Sequence, residues 1–184
     1  HGVQKWEPMA QRVEQICLSQ GARSVQIARN QTERLKIWAA RKSAFGAMGR
    51  ISPDLMVQDA VIPRSKLPVV LATVYSIAKC YRLRISNVFH AGDGNLHPNI
   101  SYDGRDKDEL SRVKMACREI MELCVSVGGS ITGEHGVGAD KIDYMSLIFS
   151  ETDLVMMLNI RDCFNPKKLA NPKKLIPALR CRAY

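Results

Sequence analysis

The chain has 184 residues, of which 46% are hydrophobic and 24% are charged, as in an ordinary folded domain. These values exclude a disordered or fibrous protein, and an aromatic share of 6% leaves few stacking platforms for single-stranded nucleic acid. The net charge of +9 is scattered in small clusters without a long basic run, so it indicates a solvated surface and no nucleic-acid partner.

The predicted elements alternate between helices and strands. Residues 1–7 have the character of a tag remnant or a partial linker, and 8–184 are expected to form one domain. The spacing of apolar residues predicts, in chain order, a helix over 8–20, a strand over 25–28, a helix over 30–48, a strand over 55–62, a helix over 65–84, strands over 85–89 and 96–102, a helix over 106–127, and helices over 139–149 and 151–164. The proline-containing tail from Asn165 is expected to be extended. This alternation, with one hairpin, predicts an α+β fold with an antiparallel sheet covered by helices and a helical C-terminal part.

None of the six cysteines is spaced as Cys-x-x-Cys, which excludes a zinc ribbon and gives no sign of a disulfide framework. Cys117 and Cys124 lie seven residues apart, on one face of a predicted helix. We therefore expect reduced, buried thiols in a cytoplasmic protein.

Three histidines beyond the first residue lie beside glycine-rich turns: His90, His97 and His135. If Gly92–Asn95 is a four-residue hairpin loop, His90 lies opposite His97, with the Cβ atoms about 5 Å apart. Two imidazoles at that distance can bind one divalent metal ion, and the loop with Glu134 and His135 offers a carboxylate and a third imidazole. The alternative is a pair of satisfied hairpin histidines beside a flexible, anion-binding turn.

The glycine-rich loop over 128–138 lacks the Gly-Lys-Ser/Thr of a Walker A loop, and it follows a helix rather than a strand. It is either a backbone that a substrate or cofactor approaches closely or a plain linker between helices. Arg41 is either part of a solvated helix face or a bidentate ligand of a substrate carboxylate, and spacing leaves both interpretations open.

Two long motifs resemble the signatures of the C-terminal, or cap, domain of FAD-linked oxidases: VFHAGDGNLHP over 88–98 and GGSITGEHGVG over 128–138. This family includes glycolate oxidase, D-lactate dehydrogenase and D-2-hydroxyglutarate dehydrogenase. Shorter stretches at 38–42, 49–54 and 59–64 look most like the D subunit of glycolate oxidase.

The resemblance implies a ferredoxin-like α+β cap over the substrate side of FAD. In the family the flavin is bound mainly by an N-terminal domain that nothing here resembles, so the chain by itself is expected to be inactive. The positions that match the family's functional residues are His90, His97 and Glu134 for a divalent metal, often zinc, His135 for the catalytic base, and Arg41 and Asn99 for substrate. The closing segment, 164–174, also resembles the family, with Lys173 in place of the usual glycine.

The implied reaction is oxidation of a small 2-hydroxy monocarboxylate by hydride transfer to FAD, with glycolate as the first expectation and D-lactate as the second. Relatives that oxidise 2-hydroxyglutarate hold its second carboxylate with a lysine, and the matching position here is the apolar Val57. Implied partners are the FAD-binding domain and the iron–sulfur and flavin subunits of a glycolate oxidase complex, which could hold a cytoplasmic protein at the inner membrane. The alternative is a non-catalytic metal-binding or interaction module, although a structural zinc site would be closed by four protein ligands.

Overall fold

A computed structural model describes residues 7–177 of the chain. They divide into two compact units, one that ends at Ala47 and one that begins at Met48. Of the predicted linker over 1–7, only Glu7 lies among the described residues, where it begins a helix. The domain expected over 8–184 likewise extends beyond the described residues at its C-terminal end.

The first unit contains two helices, α1 (Glu7–Ser19) and α2 (Gln31–Met48). Asn30 caps α2, since its side-chain oxygen accepts a hydrogen bond from the Glu33 backbone N–H at 2.9 Å. The strand predicted over 25–28 is wrong, because this segment is irregular. A strand needs a neighbouring strand for its backbone hydrogen bonds, and the described part of this unit contains none.

The second unit is an antiparallel sheet packed against helices. Its strands are β1 (Asp54–Val57), β2 (Ala60–Val61), β3 (Arg84–His90) and β4 (Asn95–Tyr102). Its helices are α3 (Leu67–Cys80), α4 (Lys107–Ser126) and α5 (Glu151–Phe164), with short 3-10 helices at Arg64–Lys66 and Ile142–Leu147.

The strand β4 is central in the sheet, with β3 on one side and β1 and β2 on the other, all antiparallel to it. An isolated antiparallel bridge between Val61 and Ser130 places the segment at Ser130 next to β2, at the edge of the sheet. With β1 and β2 counted as one interrupted strand and the bridge at Ser130 as the last, the order along the chain is β-α-β-β-α-β. Together with this sheet order, it is the ferredoxin-like arrangement. The α+β prediction, with a helical part after the sheet, is confirmed.

The register of β4 places Asp59 beside the histidine motif. Val57 of β1 pairs with Asn99, and β2 continues the same register along β4. Asp59 comes two residues after Val57 and His97 two residues before Asn99, so Asp59 lies opposite His97. Residues directly opposite each other share a face of the sheet.

One face of the sheet packs against α3 and α4 and forms the core. Leu96 and Ile100 of β4 point to this side and are fully buried. Val74 of α3 and Ile120 of α4 belong to the same hydrophobic cluster. Because successive side chains of a strand point to opposite faces, the intervening residues of β4 form the second face.

The helix predicted over 139–149 is wrong in type and length, since only the 3-10 helix Ile142–Leu147 forms. Lys141, immediately before it, turns its side chain inward, where Nζ donates to the carbonyl oxygen of Asp59 at 2.6 Å. This contact spans 82 positions of the chain, so the local pattern carries no trace of it.

The tail after α5 forms turns, and the prediction of an extended tail is wrong. The guanidinium of Arg161 donates to the carbonyl oxygens of Ala170, Asn171 and Lys174 at 2.7–3.1 Å, which draws the tail around it. Lys173 has a φ of 58°, a left-handed conformation that glycine adopts at lower cost. This is the position at which the resembling family has glycine.

The prediction of buried thiols is confirmed for one pair of cysteines. Cys117 and Cys124 of α4 are buried, and burial raises the pKa of each thiol to about 12. Cys80 and Cys163 are exposed, so the prediction is wrong for them.

Within residues 7–177, no helix combines the length and the apolar character needed to cross a membrane.

Candidate metal and substrate site

The second face of the sheet carries a row of buried polar side chains. His97, Asn99 and Ser101 alternate along β4, and each is 5% exposed or less. Among the described residues, His97 Nδ1, Asn99 Oδ1 and Ser101 Oγ have no hydrogen-bond partner. Since buried polar atoms in folded proteins are normally paired, this face has hydrogen-bonding capacity left for a ligand or water.

The histidine hairpin has a different register from the predicted one. His90 lies opposite Asn95, and His97 lies opposite Val88, so the turn is 91–94 and the predicted His90–His97 pair is wrong. The turn closes at His90, whose carbonyl oxygen accepts from the backbone N–H groups of the third and fourth turn residues, at 3.0 and 3.1 Å. A shift of two residues keeps each side chain on its face, so His90 and His97 remain diagonal neighbours with ring centroids 5.5 Å apart.

The loop that contains Glu134 is anchored on the buried carboxylate of Asp59. Asp59 Oδ2 accepts from Thr132 Oγ1 at 2.8 Å, from the Gly133 N–H at 2.8 Å and from the His135 N–H at 3.0 Å. Burial by itself would raise the pKa of Asp59, but these hydrogen bonds and the Lys141 charge hold it well below its usual range. Asp59 is therefore a buried anion that holds the loop against the sheet.

Three imidazoles surround one carboxylate oxygen. Glu134 Oε1 lies 3.1 Å from His97 Nε2, 3.7 Å from His90 Nε2 and 3.9 Å from His135 Nε2. Imidazole nitrogen and carboxylate oxygen are the common protein ligands of zinc, and two histidines with one carboxylate leave coordination positions open for substrate. The fold thus brings the three predicted metal ligands His90, His97 and Glu134 together.

A second set of possible ligand atoms shares His97, because Asp59, His97 and His135 also approach one another within 4.8 Å. However, Lys141 Nζ lies 3.4 Å from Asp59 Oδ2, and several N–H donors point at the same oxygen. A cation bound there would be repelled by the ammonium group and would compete with these donors. The first set therefore fits a divalent cation better.

His135, the predicted base, borders a cavity of about 550 Å³. Its half-exposed ring is stacked on that of His97, with centroids 5.0 Å apart and an angle of 15° between the ring planes. The cavity is also lined by Val57 and by the cationic side chains of Lys114 and Arg118. A proton acceptor beside both the metal ligands and an open cavity can act on a bound substrate.

The two predicted substrate contacts lie in different units. Asn99 is fully buried on the polar face, with Nδ2 donating to the His97 carbonyl oxygen at 2.9 Å and Oδ1 without a partner among the described residues. Arg41 lies on α2 of the first unit, where its side chain is exposed. Its role toward a substrate stays a prediction.

The sequence interpretation did not identify Asp59, Thr132 or Lys141 as parts of the site. A usable signal was present at Asp59, an ionisable residue within the apolar run predicted as a strand over 55–62. Acidic residues are rarely buried without partners, so such a residue suggests a specific set of donors. Thr132 and Lys141 carry no comparable local signal.

Comparison of the sequence with known proteins identifies the family of the chain. A sequence model of the family described as FAD linked oxidases, C-terminal domain, matches residues 3–175 of the chain. The chain belongs to this family. Over 175 residues, this FAD-linked oxidase C-terminal domain is 45% identical to the glycolate oxidase subunit GlcD of Escherichia coli (strain K12), covering 95% of this chain and 35% of that protein.

Two further relatives match the same FAD-linked oxidase domain over most of its length. The glycolate oxidase subunit GlcD of Bacillus subtilis (strain 168) is 38% identical, over 90% of this chain and 35% of that protein. A mitochondrial D-lactate dehydrogenase (cytochrome) of Arabidopsis thaliana is 28% identical, over 93% of this chain and 30% of that protein. The chain spans about a third of the length of these oxidoreductases, and the resemblance inferred from its motifs is confirmed.

Proposed function

We propose that this domain is the substrate- and metal-binding cap of an FAD-dependent 2-hydroxy acid dehydrogenase. The observation that carries the proposal is the approach of three imidazole Nε2 atoms to one oxygen of Glu134, within 3.1–3.9 Å. A non-catalytic metal-binding module is the weaker candidate, because two histidines and one carboxylate do not close a zinc site.

The residues present fit a divalent metal ion such as zinc. His90, His97 and Glu134 would hold it, because one possible ligand atom of each lies within 4.8 Å of the others and His97 Nε2 lies 3.1 Å from Glu134 Oε1. When bound, such an ion supplies a Lewis acid that makes the hydroxyl of a 2-hydroxy acid more acidic.

The domain's own residues then bind the substrate and move its proton. His135 Nε2 is placed to accept the hydroxyl proton, because its half-exposed ring borders both the cavity and the metal ligands. Asn99 Oδ1 offers an unpaired acceptor on the same face of the sheet, and Arg41 would neutralise the substrate carboxylate. FAD, held mainly by a separate domain, would be the acceptor of the hydride from Cα.

We propose a small monocarboxylate as substrate, with glycolate first and D-lactate second. Val57 pairs with Asn99 in the β1–β4 ladder, so both side chains lie on the same face, and Val57 also lines the cavity beside His135. Val57 itself cannot pair with a second carboxylate, and a carboxylate buried against it without a partner would cost several kcal/mol, which disfavours a diacid.

The chain alone is proposed to be colourless and inactive, because it spans about a third of the length of its relatives. Its proposed partners are an FAD-binding domain and the iron–sulfur and flavin subunits of a glycolate oxidase complex. Such a complex would be cytoplasmic or held at the inner membrane through its other subunits. Stoichiometric flavin retained by the purified chain would contradict this part of the proposal.

Metal analysis of single-site variants tests the proposed function. We expect the wild-type chain to bind one zinc ion and His90→Ala and His97→Ala to lose it, because each removes a ligand from the set. His135→Asn is the matched control and is expected to retain the metal. Stoichiometric zinc in both alanine variants would refute the ligand assignment.

A further inference from the structure

We propose that Asp59 is a positioning residue that couples the Glu134 loop to the His97 ring, so that one carboxylate holds two of the three metal ligands in place. The inference deepens the proposed function and rests on it for the identity of the ligands. Asp59 lies outside the sets of residues proposed above to bind metal, substrate or proton.

The loop side of this coupling is a group of hydrogen bonds to one oxygen atom. Asp59 Oδ2 accepts from the consecutive backbone N–H groups of Gly133, Glu134 and His135 at 2.8, 3.2 and 3.0 Å. Thr132 Oγ1 donates to the same oxygen at 2.8 Å. These bonds fix the backbone from which the Glu134 and His135 side chains project.

The His97 side of the coupling uses the other oxygen. Asp59 Oδ1 faces His97 Nδ1 at 3.8 Å, and this nitrogen is buried without a hydrogen-bond partner among the described residues. His97 Nε2, on the opposite side of the ring, points to Glu134. When a cation is bound at Nε2, the proton of the neutral ring must lie on Nδ1, where the Asp59 carboxylate, which can only accept, would stabilise it.

The sheet and a buried lysine account for the position of Asp59. Strand register places Asp59 opposite His97, and Lys141 donates to its backbone oxygen at 2.6 Å. The ammonium group and the loop N–H groups balance the negative charge, so Asp59 is an outer partner of the ligands rather than a ligand itself. Outer partners of metal ligands typically change metal affinity by about 10–100-fold.

Asp59→Asn is the variant that separates this role from the proposed metal site, because it has nearly the same shape and lacks the charge. The control is Asp54→Asn in β1, five residues before Asp59, where the carboxylate accepts from the Gly104 N–H at 2.8 Å. For each chain we would measure amide hydrogen exchange without metal, zinc affinity by competition with a chelator, and the cobalt absorption spectrum.

We expect Asp59→Asn to speed amide exchange at residues 133–135, to weaken zinc binding at least 10-fold and to alter the cobalt bands. Asp54→Asn should speed exchange at Gly104 only and bind zinc like the wild type. If Asp59→Asn is unfolded by circular dichroism, Asp59→Glu, which keeps the charge and displaces it, is expected to show the same three changes.

Unchanged exchange at residues 133–135 in a folded Asp59→Asn chain would overturn the inference. Faster exchange with unchanged zinc affinity would also overturn it, because Asp59 would then be structural only. If the wild-type chain binds no zinc, the proposed metal site is overturned instead. The contact of Asp59 with residues 133–135 is then tested only by comparing amide exchange in the Asp59→Asn and wild-type chains.

Discussion

His135 and Glu134 are neighbours in the chain, and the structure assigns them different surroundings. Glu134 faces three imidazoles, whereas the half-exposed ring of His135 also borders the cavity. In an enzyme that contains both this cap and its flavin domain, His135→Asn is expected to lower kcat by about 10²–10⁴-fold, the usual contribution of a general base.

Steady-state kinetics and metal analysis of the same His135→Asn preparation check this assignment. The metal content should stay near that of the wild type, whereas the matched control His90→Asn should lose metal and activity together. Near-normal turnover would show that His135 is not the base, and loss of metal would make it a ligand.

Val57 sets the expected substrate size at the residue scale. We expect the intact enzyme to have a higher kcat/KM for glycolate and D-lactate than for D-2-hydroxyglutarate. Val57→Lys should raise the ratio of kcat/KM for the diacid to that for glycolate by at least about 10-fold, because a lysine can pair with the second carboxylate.

Val69→Lys is the control for Val57→Lys, since Val69 is an exposed residue of α3 that does not line this cavity. A lysine there should not favour the diacid. If the wild-type enzyme has its highest kcat/KM with D-2-hydroxyglutarate, the monocarboxylate proposal is wrong.

At the scale of elements, helix α4 carries buried residues of the core and depends on its N-terminal cap. The carboxylate of Asp106 accepts from the backbone N–H groups of Asp108 and Glu109 at 2.9 and 3.1 Å. Asp106→Ala is expected to lower the free energy of unfolding by about 1 kcal/mol, and Asp106→Asn, which keeps an acceptor, by a few tenths. Urea denaturation checks both values, and equal losses would show that the cap does not act through its acceptor.

At the scale of the whole molecule, the buried thiols of α4 report on global unfolding. Burial raises the pKa of Cys117 and Cys124 to about 12, so folded molecules hold them as thiols. The folded pKa of each thiol lies above its unfolded value. The free energy of unfolding therefore does not depend on these thiols below about pH 8.5, and it falls as the pH rises from there toward 12. The slope is about 1.4 kcal/mol per pH unit for each thiol.

Alkylation followed by peptide mass spectrometry checks this difference for each cysteine. At pH 8, Cys80 and Cys163 should react readily, whereas Cys117 and Cys124 should react at least about 10³-fold more slowly, because they are reached only through opening of the core. Similar rates at all four cysteines would mean that α4 opens without global unfolding.

Local patterns in the sequence determined the main elements and most of the site. Apolar patterns and turn residues predicted β3, β4, α3, α4 and α5 close to their observed bounds. The periodic pattern was clearest in α3 and α4, which each bury one regularly spaced face. The glycine-rich motifs marked His90, His97 and Glu134, since glycine and histidine at such spacing are rarely needed for packing alone. The strand over 25–28 failed because an apolar run cannot show whether a partner strand exists.

Only the tertiary structure decided the features that depend on contacts between distant residues. The hairpin register differed from the predicted one by two positions, and His90 and His97 still met because the side-chain period of a strand is two. Asp59 is 73–76 positions from the loop groups it binds and 82 from Lys141, so its role follows from the fold and from no local pattern. The sequence thus predicts which residue types form the site, whereas the position of the Asp59 carboxylate that holds the loop depends on long-range packing.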